Sequence, residues 1–416
     1  MSEEVQREVH EVDFKDYQNP YEAFEIARKK KPVLWSTIPT DTATTGKSNC
    51  FWLITDYDLT QAGLKDPRFL KDRRSVIPRE DWPKTPEKLK PLADMQKLFM
   101  LFRDPPDHTR LRRLVSKPFT PRLVAALNPR MEEIALDLIN AMQNKETANL
   151  VDDFAFPFPV MVIAELLGVP VQDRDKIKLW STDMQKTVDP SRKKGDLEKG
   201  VQAAVEMSEY LSDQIDQKRV KPQDDLLSAM IKVEEDGDKL SKEEIIATCA
   251  LLLFAGHETS THFIGNTVYT LLKHPEQMQQ VRENHDLVPQ TIEEILRYES
   301  PAQLTVRFAP KDMDFGNQRL QKGDQLMFFL GAANRDEKHF EDPNSFNINR
   351  SNAEDHLTFG GGVHHCLGAP LARNEARIAL DMLLKNTSTI SLAKEPEWRE
   401  SIGLKGLKDL WLNMEK

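Results

Sequence analysis

Residues 359–368 read Phe-Gly-Gly-Gly-Val-His-His-Cys-Leu-Gly and lead directly into a helical pattern at residues 369–384. Successive glycines allow a loop to take positive φ values and to pass close to a bulky group. Cys366 stands just before the predicted helix N-terminus, where amide donors and the helix dipole favour the thiolate over the thiol. A thiolate in a glycine-rich loop is typical of a ligand to a metal-containing cofactor.

Two other interpretations of this loop remain open at this point. One is a buried structural cysteine, and the other is a zinc site built from His364, His365 and Cys366. Zinc would need a fourth ligand at a characteristic spacing, such as a C-x-x-C pair, and the sequence has no such pair. The remaining cysteines are predicted to be core residues, because Cys249 has apolar neighbours on both sides and Cys50 stands beside a predicted strand.

A second unusual stretch is the apolar, periodic segment of residues 241–272, which predicts one helix long enough to cross a domain. Ser241 and Glu244 form the S-x-x-E pattern of a capping box at its start. Gly256, in its middle, costs about 1 kcal/mol relative to alanine. A polar run follows this glycine, which indicates either a functional site or a close packing contact.

The polar run contains His257, Glu258 and His262, which invite comparison with the zinc-protease motif H-E-x-x-H. The second histidine here comes at i+5 instead of i+4. At about 100° per residue this spacing turns the two rings onto different faces of the helix. The sequence therefore argues against a shared zinc ion at this position.

Composition limits the class of protein. The 416 residues carry a formal net charge of -10, which argues against a nucleic-acid-binding protein, because such proteins neutralise phosphates. Three cysteines cannot build a disulfide framework and fit a reducing compartment. No signal peptide and no stretch that could span a membrane is predicted, so we expect a cytoplasmic protein. No repeat or linker divides the chain, so residues 1–416 are predicted to form a single domain.

Helical periodicity dominates the chain, and the strand candidates are short, which predicts a mainly α protein with small sheets. The clearest predicted helices cover residues 21–31, 130–143, 201–218, 241–272, 290–298 and 369–384. The clearest predicted strands cover residues 33–38, 51–55, 305–309 and 325–329.

Charge is unevenly distributed along this acidic chain. Residues 108–122 read HTRLRRLVSKPFTPR and contain five Arg or Lys side chains and no acid. A solvated helix face and a docking site for an acidic partner are both compatible with this run.

Together these patterns resemble the cytochrome P-450 superfamily of haem-thiolate monooxygenases, in its soluble bacterial form. Residues 359–368 resemble the haem-binding loop of that family, and residues 255–260 resemble the oxygen-activating segment of its long central helix. Residues 108–112 resemble its H-x-x-x-R motif, and residues 294–297 resemble its E-x-x-R motif. Arg350 matches the arginine that completes a triad with the last motif, a triad that is structural in the family.

The resemblance implies the cytochrome P-450 fold, with a large helical part around haem b (iron protoporphyrin IX) and small antiparallel sheets. It makes the Cys366 thiolate the ligand of the haem iron. The further haem-binding residues that it implies are His108, Arg112, Arg307 and His364 at the propionates, and Phe359, Gly360, Ala255 and Gly256 around the ring.

On the distal side of the haem, the resemblance makes Thr259 the alcohol that holds a proton-delivering water. Glu258 would connect this water to solvent as a proton relay. Gly256 would thin the helix to make room above the iron. Ser260 stands where a second threonine is common in the family, which leaves the assignment of Thr259 unaffected.

The implied activity is the hydroxylation of a lipophilic small molecule of the fatty acid, steroid, terpenoid or macrolide type with O2. Two electrons would come from a separate ferredoxin or flavodoxin with its reductase, because no flavin or nicotinamide domain follows Cys366. We expect a monomer without nucleic-acid or membrane partners.

Other activities remain possible. A peroxide-driven haem-thiolate peroxygenase would share the cysteine loop but would not need Glu258 and Thr259. A zinc hydrolase and a non-enzymatic haem sensor belong to different classes of protein, and metal analysis with an absorption spectrum would separate them.

Overall fold

The computed structural model describes residues 7–13, 16–37, 50–82, 84–187, 194–235 and 237–415. Helices predominate among these residues, as the periodicity predicts. The α-helices are α1 (Tyr21–Lys30), α2 (Tyr57–Lys65), α3 (Lys90–Leu98), α4 (Asp107–Ser116), α5 (Pro121–Ala126), α6 (Asn128–Gln143), α7 (Pro157–Leu167), α8 (Arg174–Lys186), α9 (Asp196–Val220), α10 (Leu226–Lys232), α11 (Lys242–Lys273), α12 (Pro275–Glu283), α13 (Val288–Tyr298), α14 (Leu330–Ala333) and α15 (Ala369–Lys385).

The strands are short and lie mostly near the two ends of the described chain. They are β1 (His10–Glu11), β2 (Val33–Thr37), β3 (Cys50–Ile54), β4 (Ala148–Asn149), β5 (Glu234–Glu235), β6 (Asp238–Lys239), β7 (Leu304–Phe308), β8 (Met313–Phe315), β9 (Gln318–Leu320), β10 (Gln325–Phe329), β11 (Thr389–Leu392) and β12 (Trp411–Glu415). Ile38, at the end of one predicted strand, lies outside the described residues.

The mainly α fold class is confirmed, with one correction to the sheets. Three of them, with strand orders β11-β12-β4, β5-β6 and β8-β9, are antiparallel as expected. The largest sheet, with order β1-β2-β3-β10-β7, is mixed, because β1 pairs parallel with β2 and β10 pairs parallel with β3. Most of the helices separate β3 from β10 along the chain, and such a long connection permits a parallel pairing.

The helix α7 was not anticipated, because prolines interrupt the apolar stretch that contains it. Pro157 and Pro159 both fall in the first turn of α7, where a missing backbone N–H costs no hydrogen bond. Most of its side chains are buried. Among the described residues, no helix combines the length and the apolar character needed to cross a membrane.

The long helix α11 forms the axis of the helical part. The capping box is present: the Ser241 hydroxyl accepts the Glu244 N–H at 3.1 Å, and the Glu244 carboxylate accepts the Ser241 N–H at 2.9 Å. α11 packs against α7, α8, α9 and α15, and its second half is buried on all sides. Polar side chains there bond within the helix, as Thr267 does to the Phe263 carbonyl at 2.8 Å. The helix can therefore carry polar groups through an apolar core.

A buried charge cluster ties α13 to the chain segment that leads to the cysteine loop. Glu294 and Arg297 are both fully buried and form two hydrogen bonds, at 2.7 and 2.8 Å. Arg350 Nε donates to the same carboxylate at 3.2 Å. Arg297 also donates to the carbonyls of Asn334 and Pro343, at 3.0 and 2.8 Å. One carboxylate thus balances two guanidinium groups, as expected of a structural triad.

We expect Glu294→Ala to lower the free energy of unfolding by about 3–5 kcal/mol, because it leaves two buried guanidinium groups without a counter-charge. The same variant should fail to retain haem. Urea unfolding and the haem-to-protein ratio after purification measure the two effects. Glu283→Ala, at an exposed position at the end of α12, is the control and should change stability by less than about 0.5 kcal/mol. A stable, fully haem-loaded Glu294→Ala protein would contradict the structural role.

Candidate functional site

The cysteine loop is held by glycines and by backbone hydrogen bonds. Gly360 and Gly362 have φ values of 69° and 63°, in the left-handed region that favours glycine. A Cβ at Gly362 would lie 2.4 Å from the Leu64 carbonyl oxygen, so the loop passes directly against the end of α2. Cys366 N–H donates to the Phe359 carbonyl at 2.9 Å and closes the loop.

The Cys366 thiol lies at the start of α15 with donors and cations around it. Burial raises its pKa, whereas the N–H groups of Gly368 and Ala369 and the guanidinium groups of Arg112 and Arg373 act to lower it. The expected amide donors are therefore present. They do not by themselves make the thiol acidic, but coordination to a metal deprotonates a thiol outright.

A stripe of α11 faces open space in the middle of the otherwise buried helix. Leu252, Ala255, Gly256 and Thr259 are partly exposed, whereas the residues between them are buried. Their spacing of three and four residues places them on one face. The Thr259 hydroxyl donates to the Ala255 carbonyl at 3.0 Å, so its lone pairs remain available on this face. The structure thus groups three of the predicted distal residues.

Gly256 has a packing role that the sequence left open. A Cβ at this position would lie 2.6 Å from Cδ1 of Ile163 on α7. The glycine therefore lets α7 approach α11 closely, in addition to lying on the partly exposed stripe. The close packing contact is thus present, and the functional role of Gly256 stays a prediction.

The structure brings the four predicted propionate-binding residues together. The rings of His108 and His364 lie 4.2 Å apart, centroid to centroid. Burial lowers the pKa of His364 to about 2, and the positive charges of Arg307, Lys71 and Arg112 contribute. Burial likewise lowers the pKa of Arg307 to about 10. This concentration of cationic groups defines a basic cluster.

Lys71 belongs to the basic cluster, and sequence reasoning missed it. Its ammonium donates to the Thr305 hydroxyl at 2.9 Å and to the Val306 carbonyl at 3.2 Å, beside Arg307. Burial lowers its pKa to about 7, with a further contribution from Arg307. Asp104 is the acid that opposes this shift. No motif surrounds Lys71 in the sequence, so only the fold reveals it.

The basic cluster fits the two carboxylates of haem b. Among the described residues, Asp104 is the one carboxylate that acts to raise the pKa values of Lys71, His108 and Arg307. Its two oxygens already accept the backbone N–H groups of Lys71 and Asp72. His108 Nδ1 is buried without a hydrogen-bond partner in the described structure. Buried cations need a counter-charge, and two propionates would supply it.

Zinc does not fit the same place. His364 faces the basic cluster, which would repel a divalent cation. Across the described part of the chain, no group of three or more His, Cys, Asp or Glu side chains is arranged to hold a metal ion. On α11, the His257 ring contacts the Ser181 hydroxyl at 2.8 Å, whereas His262 packs against Gly406.

Glu258 is buried and points towards the C-terminal loops. Arg399 donates to its Oε1 at 2.6 Å, and His262 Nε2 lies 3.8 Å from the same oxygen. Burial acts to raise the pKa of Glu258, but His262 and Arg399 outweigh it and lower the pKa. The Arg399 side chain is 41% exposed, so the pair connects the buried carboxylate with the surface. No direct hydrogen bond joins Glu258 to Thr259 in the described structure.

Glu375 is a second carboxyl near Thr259 that sequence reasoning missed. It lies on α15, and Ser260 Oγ donates to its Oε2 at 2.6 Å. Burial raises its pKa to about 8, so it is largely protonated at neutral pH. Two carboxyl groups whose pKa values are pushed apart flank the Thr259 turn, which is a pattern of acid–base sites.

Aromatic rings pack against one another beside the α11 stripe, where Phe99 and Phe254 belong to the buried core. Phe99 stacks on Phe254 at 5.6 Å and on Phe102 at 6.3 Å, between ring centroids. A separate cleft of about 440 Å³, bordered by Tyr21 and Trp398, contains none of the predicted site residues.

Comparison with known proteins agrees with this geometry. The family model described as Cytochrome P450 matches residues 82–404. Cytochrome P450 CYP107DY1 of Priestia megaterium is 42% identical over 355 residues, 83% of this chain and 85% of the relative. The 6-deoxyerythronolide B hydroxylase of Saccharopolyspora erythraea is 38% identical over 371 residues, 88% and 90% of the two chains. The crystal structure of P450BioI with an acyl carrier protein bearing hexadec-9Z-enoic acid has a TM-score of 0.87 and 38% identity, covering 96% of this chain and 99% of that one.

The raised pKa of Glu375 predicts a pH-dependent stability. Between about pH 4.5 and pH 8 the unfolded chain loses this proton and the folded chain keeps it, so the free energy of unfolding falls as pH rises. Glu375→Gln removes this titration. The free energy of unfolding of Glu375→Gln, relative to that of the wild type, should therefore increase with pH by at most about 1.4 kcal/mol per pH unit.

Urea midpoints of the wild type and Glu375→Gln, measured near pH 5.5 and pH 8, test this prediction. Glu276→Gln, which removes an exposed carboxylate from α12, is the charge-matched control. Parallel pH profiles for Glu375→Gln and the wild type would show that the carboxyl ionises normally in the folded protein.

Proposed function

Because this chain belongs to the cytochrome P450 family, we propose that it hydroxylates a lipophilic small molecule with O2 and electrons from a separate carrier. The family is one of haem b monooxygenases, so the chain is an oxidoreductase. The observation that supports O2-dependent hydroxylation is the turn of α11 at Thr259, where the carboxyl groups of Glu258 and Glu375 lie nearby. We also propose that residues 1–416 act as one haem domain, since the largest sheet joins strands from both halves of the chain.

We assign the haem contacts as follows. Cys366 binds the iron, and Lys71, His108, Arg112, Arg307 and His364 hold the propionates. Phe359, Gly360, Ala255 and Gly256 border the ring. When bound, haem with a thiolate ligand supplies the activation of O2 by cleavage of its O–O bond.

The protein supplies protons to this chemistry. Thr259 donates its hydroxyl hydrogen to the Ala255 carbonyl, and its lone pairs can accept a hydrogen bond from a water on the partly exposed face. Glu258, which neighbours Thr259 and pairs with the half-exposed Arg399, would relay protons between solvent and the Thr259 water. Glu375, protonated and bonded to Ser260, holds a proton on the opposite side. Each group moves or holds a proton without contacting the substrate.

The peroxide-driven alternative does not require these groups. A peroxygenase receives both oxygen atoms and both electrons from the peroxide, so a protected proton path from the surface brings it no advantage. The connection from Arg399 through Glu258 to α11 therefore favours the monooxygenase.

The substrate is proposed to be apolar and of the size of a lipid or macrolactone. The stacked rings of Phe99, Phe102 and Phe254 offer apolar contact beside α11. The names of the relatives point to the same class, since one hydroxylates 6-deoxyerythronolide B and another binds a hexadecenoic acid on its carrier protein. Ligand-induced spin shifts with fatty acids, steroids, terpenoids and macrolides would identify the substrate.

An acidic electron carrier, either a ferredoxin or a flavodoxin, is proposed to dock on α4, α5 and α15. Arg113, Lys117, Arg122 and Arg377 are exposed there, and α5 packs against α15 beside the cysteine loop. Arg110, which belongs to the same run in the sequence, instead pairs with Asp238 and Glu244. The docking surface is therefore smaller than the run suggests.

Thr259→Ala tests the proton delivery. We expect consumption of NADH to continue while hydroxylated product falls by about 10-fold or more and hydrogen peroxide rises, because positioned proton transfer contributes about 10²–10⁴-fold. The ratio of product to NADH measures this coupling. Thr267→Ala is the matched control, since Thr267 bonds to its i−4 carbonyl in the same way two turns further along α11. Unchanged coupling in Thr259→Ala would overturn the assignment and favour the peroxygenase.

Arg113→Glu tests the docking surface. We expect the rate of reduction by the carrier to fall several-fold at low salt and the difference to shrink at high salt, because salt screens exposed charges. Stopped-flow reduction under CO measures the rate, and the spin shift with substrate should not change. Arg319→Glu, on the β8–β9 hairpin, controls for the change in net charge. An equal rate for Arg113→Glu and the wild type at low salt would refute docking at this surface.

A further inference from the structure

A second charge cluster lies directly under the cysteine loop. Arg373 Nε and Nη2 donate to the two carboxylate oxygens of Glu293, at 2.7 and 2.9 Å, in a bidentate pair. Glu293 precedes the structural Glu294 on α13, and Arg373 lies on the second turn of α15. The pair therefore joins two helices at the point where the loop enters α15.

His356 completes the cluster as a neutral donor. Thr358 N–H donates to His356 Nδ1 at 3.2 Å, so Nδ1 is an acceptor and the ring proton is on Nε2. Nε2 lies 3.1 Å from Glu293 Oε2 and donates to it. Burial lowers the pKa of His356, which keeps the ring neutral. The cluster thus contains one negative and one positive charge.

Arg373 contacts the first residue of the cysteine loop. Its guanidinium carbon lies 4.5 Å from the centre of the Phe359 ring, a cation–π contact. The Phe359 carbonyl in turn accepts the Cys366 N–H at 2.9 Å. Arg373 also acts electrostatically on the Cys366 thiol. A continuous set of contacts therefore connects Glu293 with the cysteine.

We propose that the Glu293–Arg373 pair is a positioning device that sets the electrostatic field at Cys366 and thereby the reduction potential of the haem iron. The proposal rests on the proposed role of Cys366 as the iron ligand. The positive charge of Arg373 acts on the thiolate. The hydrogen bonds of Glu293 hold the Arg373 guanidinium over the Phe359 ring, and the negative charge of Glu293 partly cancels the positive charge. Hydrogen bonds and charges around a metal ligand tune the metal in this way.

The proposal predicts shifts of opposite sign in two variants. Arg373→Met removes a positive charge, so it should make reduction less favourable and lower the potential. Glu293→Gln removes the opposing negative charge at nearly constant shape, so it should raise the potential. Each shift should be about threefold or more in the equilibrium constant for one-electron reduction, which is about 30 mV at 59 mV per tenfold change. The double variant should return towards the wild-type value.

Redox titration of the purified holoenzymes, followed by absorption, measures these potentials. Arg373→Lys keeps the charge and should restore most of the potential that Arg373→Met loses, even where packing is imperfect. Asp381→Asn and Lys385→Met change the same charges at the far end of α15, where Lys385 pairs with Asp381 at 2.6 Å, and should leave the potential unchanged.

The outcomes separate this proposal from the proposed function. If wild-type protein lacks the red-shifted Soret band of a thiolate-bound ferrous CO complex, the role of Cys366 itself fails. If the band is present and both single variants shift the potential in the same direction, or neither shifts it, the pair is merely a packing contact and the proposal is overturned. Slower carrier reduction in Arg373→Met at an unchanged potential would also overturn it and assign Arg373 to docking.

Discussion

Buried cations around the cysteine loop need counter-charges, and this requirement organises the surrounding structure. Glu294 satisfies it for the buried Arg297, and Glu293 pairs with the partly exposed Arg373, so two consecutive residues of α13 tie the loop to the helical part. For the basic cluster around Lys71, the described part of the chain supplies only Asp104, which the backbone N–H groups of Lys71 and Asp72 already bind. Buried positive charges without counter-charges destabilise a fold. An anionic cofactor would supply these counter-charges, so its binding should raise the free energy of unfolding.

Features encoded by near neighbours in the sequence could be predicted. The capping box of α11, the glycine-rich turn before Cys366 and the Glu294–Arg297 pair all depend on residues within a few positions of each other. Such local spacing fixes the contact geometry once the helix or turn forms. The approximate positions of α11 and α15 follow from periodicity for the same reason. The mixed order of the largest sheet does not, because its pairings join strands far apart in the chain.

Contacts between distant segments account for the site residues that sequence reasoning missed. Ser260 and Glu375 are 115 positions apart, and Glu258 and Arg399 are 141 positions apart. No periodicity links such pairs, and a glutamate inside a helix ordinarily reads as a surface residue. The helical pattern of α15 does place Glu375 on the same face as its buried apolar residues. A charged residue at a core position is the one signal that could have singled it out.

The basic run of residues 108–122 contains arginines with different contacts. Arg112 acts on the cysteine, whereas the partly exposed Arg110 pairs with Asp238 and Glu244. Arg113 faces outward, because adjacent helix positions point about 100° apart. A single helix can therefore serve both an internal anion and an external acidic partner. Under the proposed function, Arg112 would act on the iron site and Arg113 on the encounter with the carrier, so the two functions could change independently.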